Sequence, residues 1–122
     1  MHSRRIKNNW HIIKGQPLTE LDKKVLYYQN KGHLVPPRKL IKTAEQIEGI
    51  RRSSVVNTGV LDLVAREIKA GMSTAEIDKL VYDYTVSHGA IPAPLNYEGF
   101  PKSVCTSVNE VVCHGIPSED EI

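Results

Sequence analysis

The chain has 122 residues, 40% of them hydrophobic and 25% charged, which fits one small soluble domain able to bury about two-thirds of its surface if it folds alone, so composition allows globular structure. No apolar run approaches the roughly 20 residues that span a bilayer, and the basic N-terminus lacks the apolar stretch of a secretory signal, so neither membrane nor export is expected. The formal charge of +2 hides an asymmetry: twelve basic residues against four acidic up to Arg52, then four against ten from Ser53 onward. The basic part suits either a polyanionic partner or an ordinary solvated face, and no nucleic-acid-binding motif accompanies it.

In chain order, residues 1–17 have no sustained period, although Trp10, Ile12 and Ile13 form a short apolar cluster suited to anchoring the arm. Thr19 is placed as an N-cap with Asp22 in the first turn. Leu21, Val25 and Tyr28 share a helical stripe that Gly32 stops, predicting a helix over 20–31. Pro36-Pro37 makes 33–39 an extended linker or, alternatively, a polyproline docking segment. Thr43 and Gln46 form a capping box that opens a long helix over 43–70, with Ile47, Ile50, Leu61, Val64 and Ile68 near one face and Gly49 and Gly59 weakening its middle. A second box, Ser73 with Glu76, opens a helix over 73–88. Ile77, Leu80, Val81 and Tyr84 form its core stripe, and Asp78, Lys79 and Asp83 are expected on solvated faces.

Residues 90–100 make a loop rich in Pro and Gly that carries Tyr97 and Phe100, as packing groups or as the wall of a pocket. Residues 103–108 then alternate in the period of a half-buried strand, Asn109-Glu110 supplies a two-residue turn, and Val111 to Cys113 resume an apolar strand. Gly115 and Pro117 end it, so a β-hairpin is expected with His114 held at a rigid strand end, in a structural or a catalytic role. Cys105 and Cys113 show neither C-x-x-C spacing nor a disulfide framework, and are expected as free thiols in a reducing cytoplasm. Spacing alone makes Cys105 a small buried hydrophobe and Cys113 a packing residue.

The stretches G-F-P-K-S-V-C (99–105), Asn109-Glu110 and V-V-C-H-G-I-P (111–117) closely resemble the type I methionine aminopeptidases, and the resemblance extends back to about Leu40. It implies an α+β fold, the N-terminal half of a pita-bread (creatinase/aminopeptidase-like) fold, with two helices packed on a β-hairpin. Residues 1–39 would be a basic N-terminal extension with its Pro-Pro linker, and 40–122 the N-terminal half of the catalytic domain. Some relatives carry a cysteine-rich zinc module at the N-terminus; this chain has no cysteine before Cys105, which excludes one among these residues.

The function so implied is removal of initiator methionine from nascent proteins by metal-dependent hydrolysis, a metalloexopeptidase activity. Tyr97, Phe100 and Cys105 would line the pocket for the methionine side chain, whose sulfur is attracted to aromatic rings. His114 would bind the substrate near the scissile peptide and stabilise the tetrahedral intermediate as the catalytic residue. Asn109 and Val111 match positions that offer oxygens to a monovalent cation, or are simply a turn Asn and a core Val. The family's two divalent ions (Co, Mn, Fe or Zn) are held by Asp, His and Glu ligands that begin in the strand after H-G-I-P. Glu119, Asp120 and Glu121 do not match them, so no metal ligand is assigned here, and a chain ending at Ile122 is expected to be inactive by itself. The implied partners are the N-terminal Met of nascent peptides and the ribosome, with no DNA and no membrane. The alternative is a non-catalytic module of the same fold that binds peptide N-termini or the ribosome through its basic arm.

Overall fold

The computed structural model describes Trp10 and residues 12–122. The basic arm residues Arg4, Arg5 and Lys7 lie outside the described residues. The chain divides into two compact units, Met1–Gln46 and Ile47–Ile122.

In the first unit, α1 (Glu20–Asn30) starts where the sequence places it. Thr19 Oγ1 accepts from the amide of Asp22 at 3.1 Å, and the Asp22 carboxylate accepts from the amide of Thr19 at 2.9 Å, so two orphan donors of the first turn are satisfied reciprocally. At the other end Gly32 takes φ 80°, its amide donates to Gln29 O at 2.9 Å, and that of His33 donates to Tyr28 O at 3.1 Å. This Schellman pair depends on a left-handed residue, which glycine adopts without a Cβ clash.

Asp22 is buried and serves the unit as well as the cap. The indole Nε1 of Trp10 donates to it at 2.9 Å, Arg38 pairs with it, and the Arg38 guanidinium lies 4.4 Å from the Trp10 ring centroid. Trp10 is therefore anchored within its own unit. Pro37 is extended, and the short 3-10 turn η1 (Arg38–Leu40) that follows presents Arg38 to Asp22.

The core of the second unit forms between α2 (Ala44–Glu67), whose residues 44–46 fall in the first unit, and α3 (Thr74–Ser87). Thr43 and Gln46 make the expected capping box at 3.2 and 2.9 Å, and α2 continues through Gly49 and Gly59 without a break. Ser73 and Glu76 cap α3 in the same way, and a second Schellman pair closes it: the Gly89 amide donates to Val86 O at 3.0 Å and the Ala90 amide to Thr85 O at 3.1 Å. Val60, Ile77 and Val81 are the buried centre, with Val64, Met72, Tyr84, Val104 and Ile122 packed around them. Burying each of the three contributes about 1.5–3 kcal/mol.

Of the predicted α3 stripe Ile77, Val81 and Tyr84 join the core, whereas of the predicted α2 stripe only Val64 does. Ile50 and Leu61 remain 53% and 63% exposed. A Cβ at Gly59 would lie 2.1 Å from Tyr84 Oη, so the α3 side chain lies directly on the α2 backbone, on the same part of the helix as the core residues Val60 and Val64.

The expected hairpin is replaced by a loop; among the described residues there is no strand, only an isolated antiparallel bridge between Ser73 and Glu121. The predicted turn does form, with the Val111 amide donating to Val108 O at 3.1 Å and Asn109 at φ 52°. The Thr106 amide donates to Gly115 O at 2.8 Å, but no ladder develops from that bond. Two short strands alone do not offset the entropy of ordering them, and left-handed Asn109 and His114 interrupt the extended backbone a ladder requires.

Candidate active site

Two loops build the site. The first, residues 90–100, folds on its own backbone: Leu95 N donates to Pro92 O at 3.2 Å, Tyr97 N to Pro94 O at 3.0 Å, and Asn96 N to Phe100 O at 2.9 Å. The 3-10 turn η2 (Tyr97–Gly99) lies at its tip. Asn96, Glu98 and Gly99 have φ of 64°, 48° and 83°, and this succession of left-handed residues reverses the chain around Tyr97.

The second loop, residues 103–118, is pinned at both ends to α3. The Ser103 amide donates to Asp78 Oδ1 at 2.6 Å. At the far end the Ser118 amide donates to Thr74 Oγ1 at 2.8 Å, and Ser118 O accepts from the Thr74 hydroxyl at 3.1 Å and from the Ala75 amide at 2.7 Å. The first amides of α3 have no partner within the helix, so the returning chain supplies carbonyls to them. Residues 118–122 continue antiparallel along 71–75, with Gly71 N donating to Ile122 O at 2.9 Å and Ile122 N to Met72 O at 3.0 Å.

Between the loops opens a cavity of about 710 Å³, lined among others by Pro94, Tyr97, Phe100, Cys105, His114 and Ile116. This size suits a small ligand or one amino-acid side chain with its flanking peptide. All four residues singled out from the sequence, Tyr97, Phe100, Cys105 and His114, line this one cavity. Tyr97 is 68% exposed, and Cys105 is exposed rather than the buried hydrophobe that spacing alone suggested. Cys113 is exposed as well and is not a packing residue, because the strand that would have buried it does not form.

His114 has φ 54°, a left-handed backbone unusual for a residue with a Cβ. It is followed by Gly115, where a Cβ would lie 1.9 Å from Thr106 O. The Thr106–Gly115 contact closes the loop and holds His114 at the cavity, so glycine is required at 115 by lack of space.

Sequence reasoning missed Asp78 and Thr74. Asp78 was expected on a solvated face, yet it is half-buried against Ser103. Its signal was available in part, since a carboxylate between Ile77 and Val81 flanks the buried stripe rather than opposing it. Glu98, the carboxylate on the cavity wall, and Ile116 were also passed over. Among the described residues, no three of His, Cys, Asp and Glu come together to hold a metal ion, so the residues present do not fit a two-metal centre. No helix among the described residues is long and apolar enough to cross a membrane.

Comparison with known proteins places these loops in context. The family model described as metallopeptidase family M24 matches residues 48–122. Methionine aminopeptidase 1A of Arabidopsis thaliana is 54% identical over 77 residues, covering 63% of this chain and 19% of the relative. Methionine aminopeptidase 1D, mitochondrial, of Homo sapiens is 51% identical over 77 residues, 63% of this chain and 23% of the relative. The crystal structure of methionine aminopeptidase from Rickettsia prowazekii superposes with a TM-score of 0.60 at 40% identity, over 68% of this chain and 34% of that one. The chain thus spans about a fifth to a quarter of the length of these curated relatives.

Proposed function

We propose, from the premise that this chain belongs to metallopeptidase family M24, that it supplies the substrate pocket of a type I methionine aminopeptidase, an enzyme that removes N-terminal methionine by hydrolysis. The observation that carries this reading is the gathering of Tyr97, Phe100, Cys105 and His114 around one cavity. Tyr97, Phe100 and Cys105 offer a soft, apolar wall that suits a thioether. His114, whose imidazole can donate a hydrogen bond at neutral pH, would bind beside the scissile peptide and stabilise the oxyanion that develops there. Family membership implies a divalent metal to activate water, Co, Mn, Fe or Zn on our reading. The described residues hold no donor set for it.

We assign residues 1–39 to an extension and 40–122 to the N-terminal half of the catalytic domain. Residues 103–114 would zip into a hairpin when a further strand pairs with them, because a third strand adds the ladder bonds that two lack. The compartment we propose is the cytoplasm, and the basic N-terminal part is the surface we would match to the ribosome.

The test is binding of the peptide Met-Ala-Ser, compared with Glu-Ala-Ser, followed by NMR. The Met peptide should bind and shift the resonances of Phe100, and Phe100→Ala should weaken that binding about tenfold by removing a ring contact. Equal affinity for the two peptides, or none for either, would remove the basis of the assignment.

A further inference from the structure

The pocket depends on a loop that carries few bonds of its own. Residues 103–118 present Cys105, His114 and Ile116 to the cavity, yet within this loop the described backbone bonds are those of Val111 to Val108 and Thr106 to Gly115. The ends of the loop are held by two side chains of α3, Asp78 at Ser103 and Thr74 at Ser118. Thr74 and Asp78 are four residues apart, so they lie on one face of the helix, about 6 Å from each other. The helix beneath them is rigid, with a capping box at one end, a Schellman pair at the other, and Ile77 and Val81 in the core. One turn of α3 therefore sets the separation of the loop's two ends.

We infer that Asp78 is a positioning residue for the site, acting through the backbone of Ser103 to hold Cys105 and His114 at the cavity, with Thr74 as its counterpart at Ser118. The inference rests on the reading that this cavity takes the N-terminal residue of a peptide. Asp78 is not among the residues lining the cavity, so its effect is exerted through the loop. Its contact with Ser103 is strong because the acceptor is a carboxylate, the N···O distance is 2.6 Å, and Ser103 is only 5% exposed. Water cannot readily take the place of the acceptor there. The Thr74 hydroxyl donates to the carbonyl of Ser118 while accepting from its amide, which fixes that residue in both directions.

The experiment compares Asp78→Ala, Asp78→Asn and Asp83→Ala with the unaltered chain. Asp83 is exposed on the same helix and pairs with Lys79, which makes it the control. Two quantities are read: amide hydrogen exchange at Ser103, with Val81 as the internal reference, and the affinity for Met-Ala-Ser. Asp78→Ala should speed exchange at Ser103 about tenfold or more with Val81 unchanged, and weaken Met-Ala-Ser binding about tenfold. Asp78→Asn keeps an acceptor oxygen and should recover binding to within about threefold, whereas Asp83→Ala should alter neither quantity. Unchanged exchange at Ser103 in Asp78→Ala, or binding equal to that of the unaltered chain, overturns the inference. Should Asp78→Ala fail to fold, Asp78→Ser, whose hydroxyl is one bond too short to reach the Ser103 amide, decides: faster exchange at Ser103 supports the inference and unchanged exchange rejects it. An unaltered chain that does not bind Met-Ala-Ser would overturn the proposed function, while exchange at Ser103 would still decide whether Asp78 holds the loop.

Discussion

His114, Gly115 and Asp22 each show a single residue fixing more than its own position. A left-handed histidine costs on the order of 1–3 kcal/mol, which the surrounding contacts must offset, and such strain concentrates at functional sites. Gly115→Ala should push the loop off Thr106 O and abolish Met-Ala-Ser binding while leaving the helical circular dichroism intact, because α2 and α3 do not depend on that contact. In an enzyme assembled on this chain, His114→Ala should lower kcat/KM about 100-fold at unchanged metal content, as loss of a transition-state donor rather than a ligand. Loss of metal together with activity would reassign the residue. At Asp22, the hydroxyl of Thr19 first, then its amide, the Trp10 indole and the Arg38 charge lower the carboxyl from its ordinary 3.8 to about 2, against the opposing effect of burial. A depressed carboxyl pKa contributes stability above the unfolded value and loses it as pH falls through the folded one. The α1 cap should therefore weaken between about pH 4 and pH 2. Trp10 is the sole tryptophan, so its fluorescence should change in that window, and Asp22→Asn should remove the transition.

At the scale of elements, the contact between α2 and α3 depends on Gly59. Alanine is favoured over glycine in a helix by about 1 kcal/mol, so propensity alone predicts that Gly59→Ala stabilises the chain. The Cβ would instead meet Tyr84 Oη at 2.1 Å and the ring carbon behind it at 2.8 Å, and the Tyr84 ring is itself stacked on His88 at 4.0 Å. Moving a packed ring outweighs the propensity gain, since overpacking typically costs about 1–3 kcal/mol. Gly59→Ala should thus lower Tm in the unaltered chain and raise it in a Tyr84→Ala background, a coupling that a double-mutant cycle measures. Gains of equal size in both backgrounds would mean that Tyr84 does not pack on this glycine.

At the scale of the whole molecule, the core among the described residues is small relative to the apolar surface they leave uncovered. Val60, Ile77 and Val81 are the buried centre of the second unit, while Val112, Ile91 and Val55 are 95%, 83% and 73% exposed. Exposed apolar side chains favour association where they lie together in one patch. The chain should self-associate as concentration rises, and sedimentation velocity from micromolar to near-millimolar concentration is the measurement. A single monomeric species throughout that range would show that these side chains are covered within one molecule.

The sequence determined what local chemistry determines. Capping boxes at Thr19, Thr43 and Ser73 and the stops at Gly32 and Gly89 act through hydrogen bonds among neighbouring residues, and all three helices start where these signals place them. The Asn109-Glu110 turn is local in the same way. Motif resemblance identified Tyr97, Phe100, Cys105 and His114, residues far enough apart that no local rule joins them, and the fold gathers them around one cavity. Tertiary structure alone decided which face of α2 is buried, because that depends on contacts with residues distant in sequence, as where Tyr84, 25 residues beyond Gly59, lies on a helix surface with no side chain. It also decided that Asp78 faces Ser103 rather than water, and that residues 103–114 form a loop. Alternation shows that a segment can pair as a strand, but pairing needs a partner with enough ladder bonds to offset the entropy of ordering it.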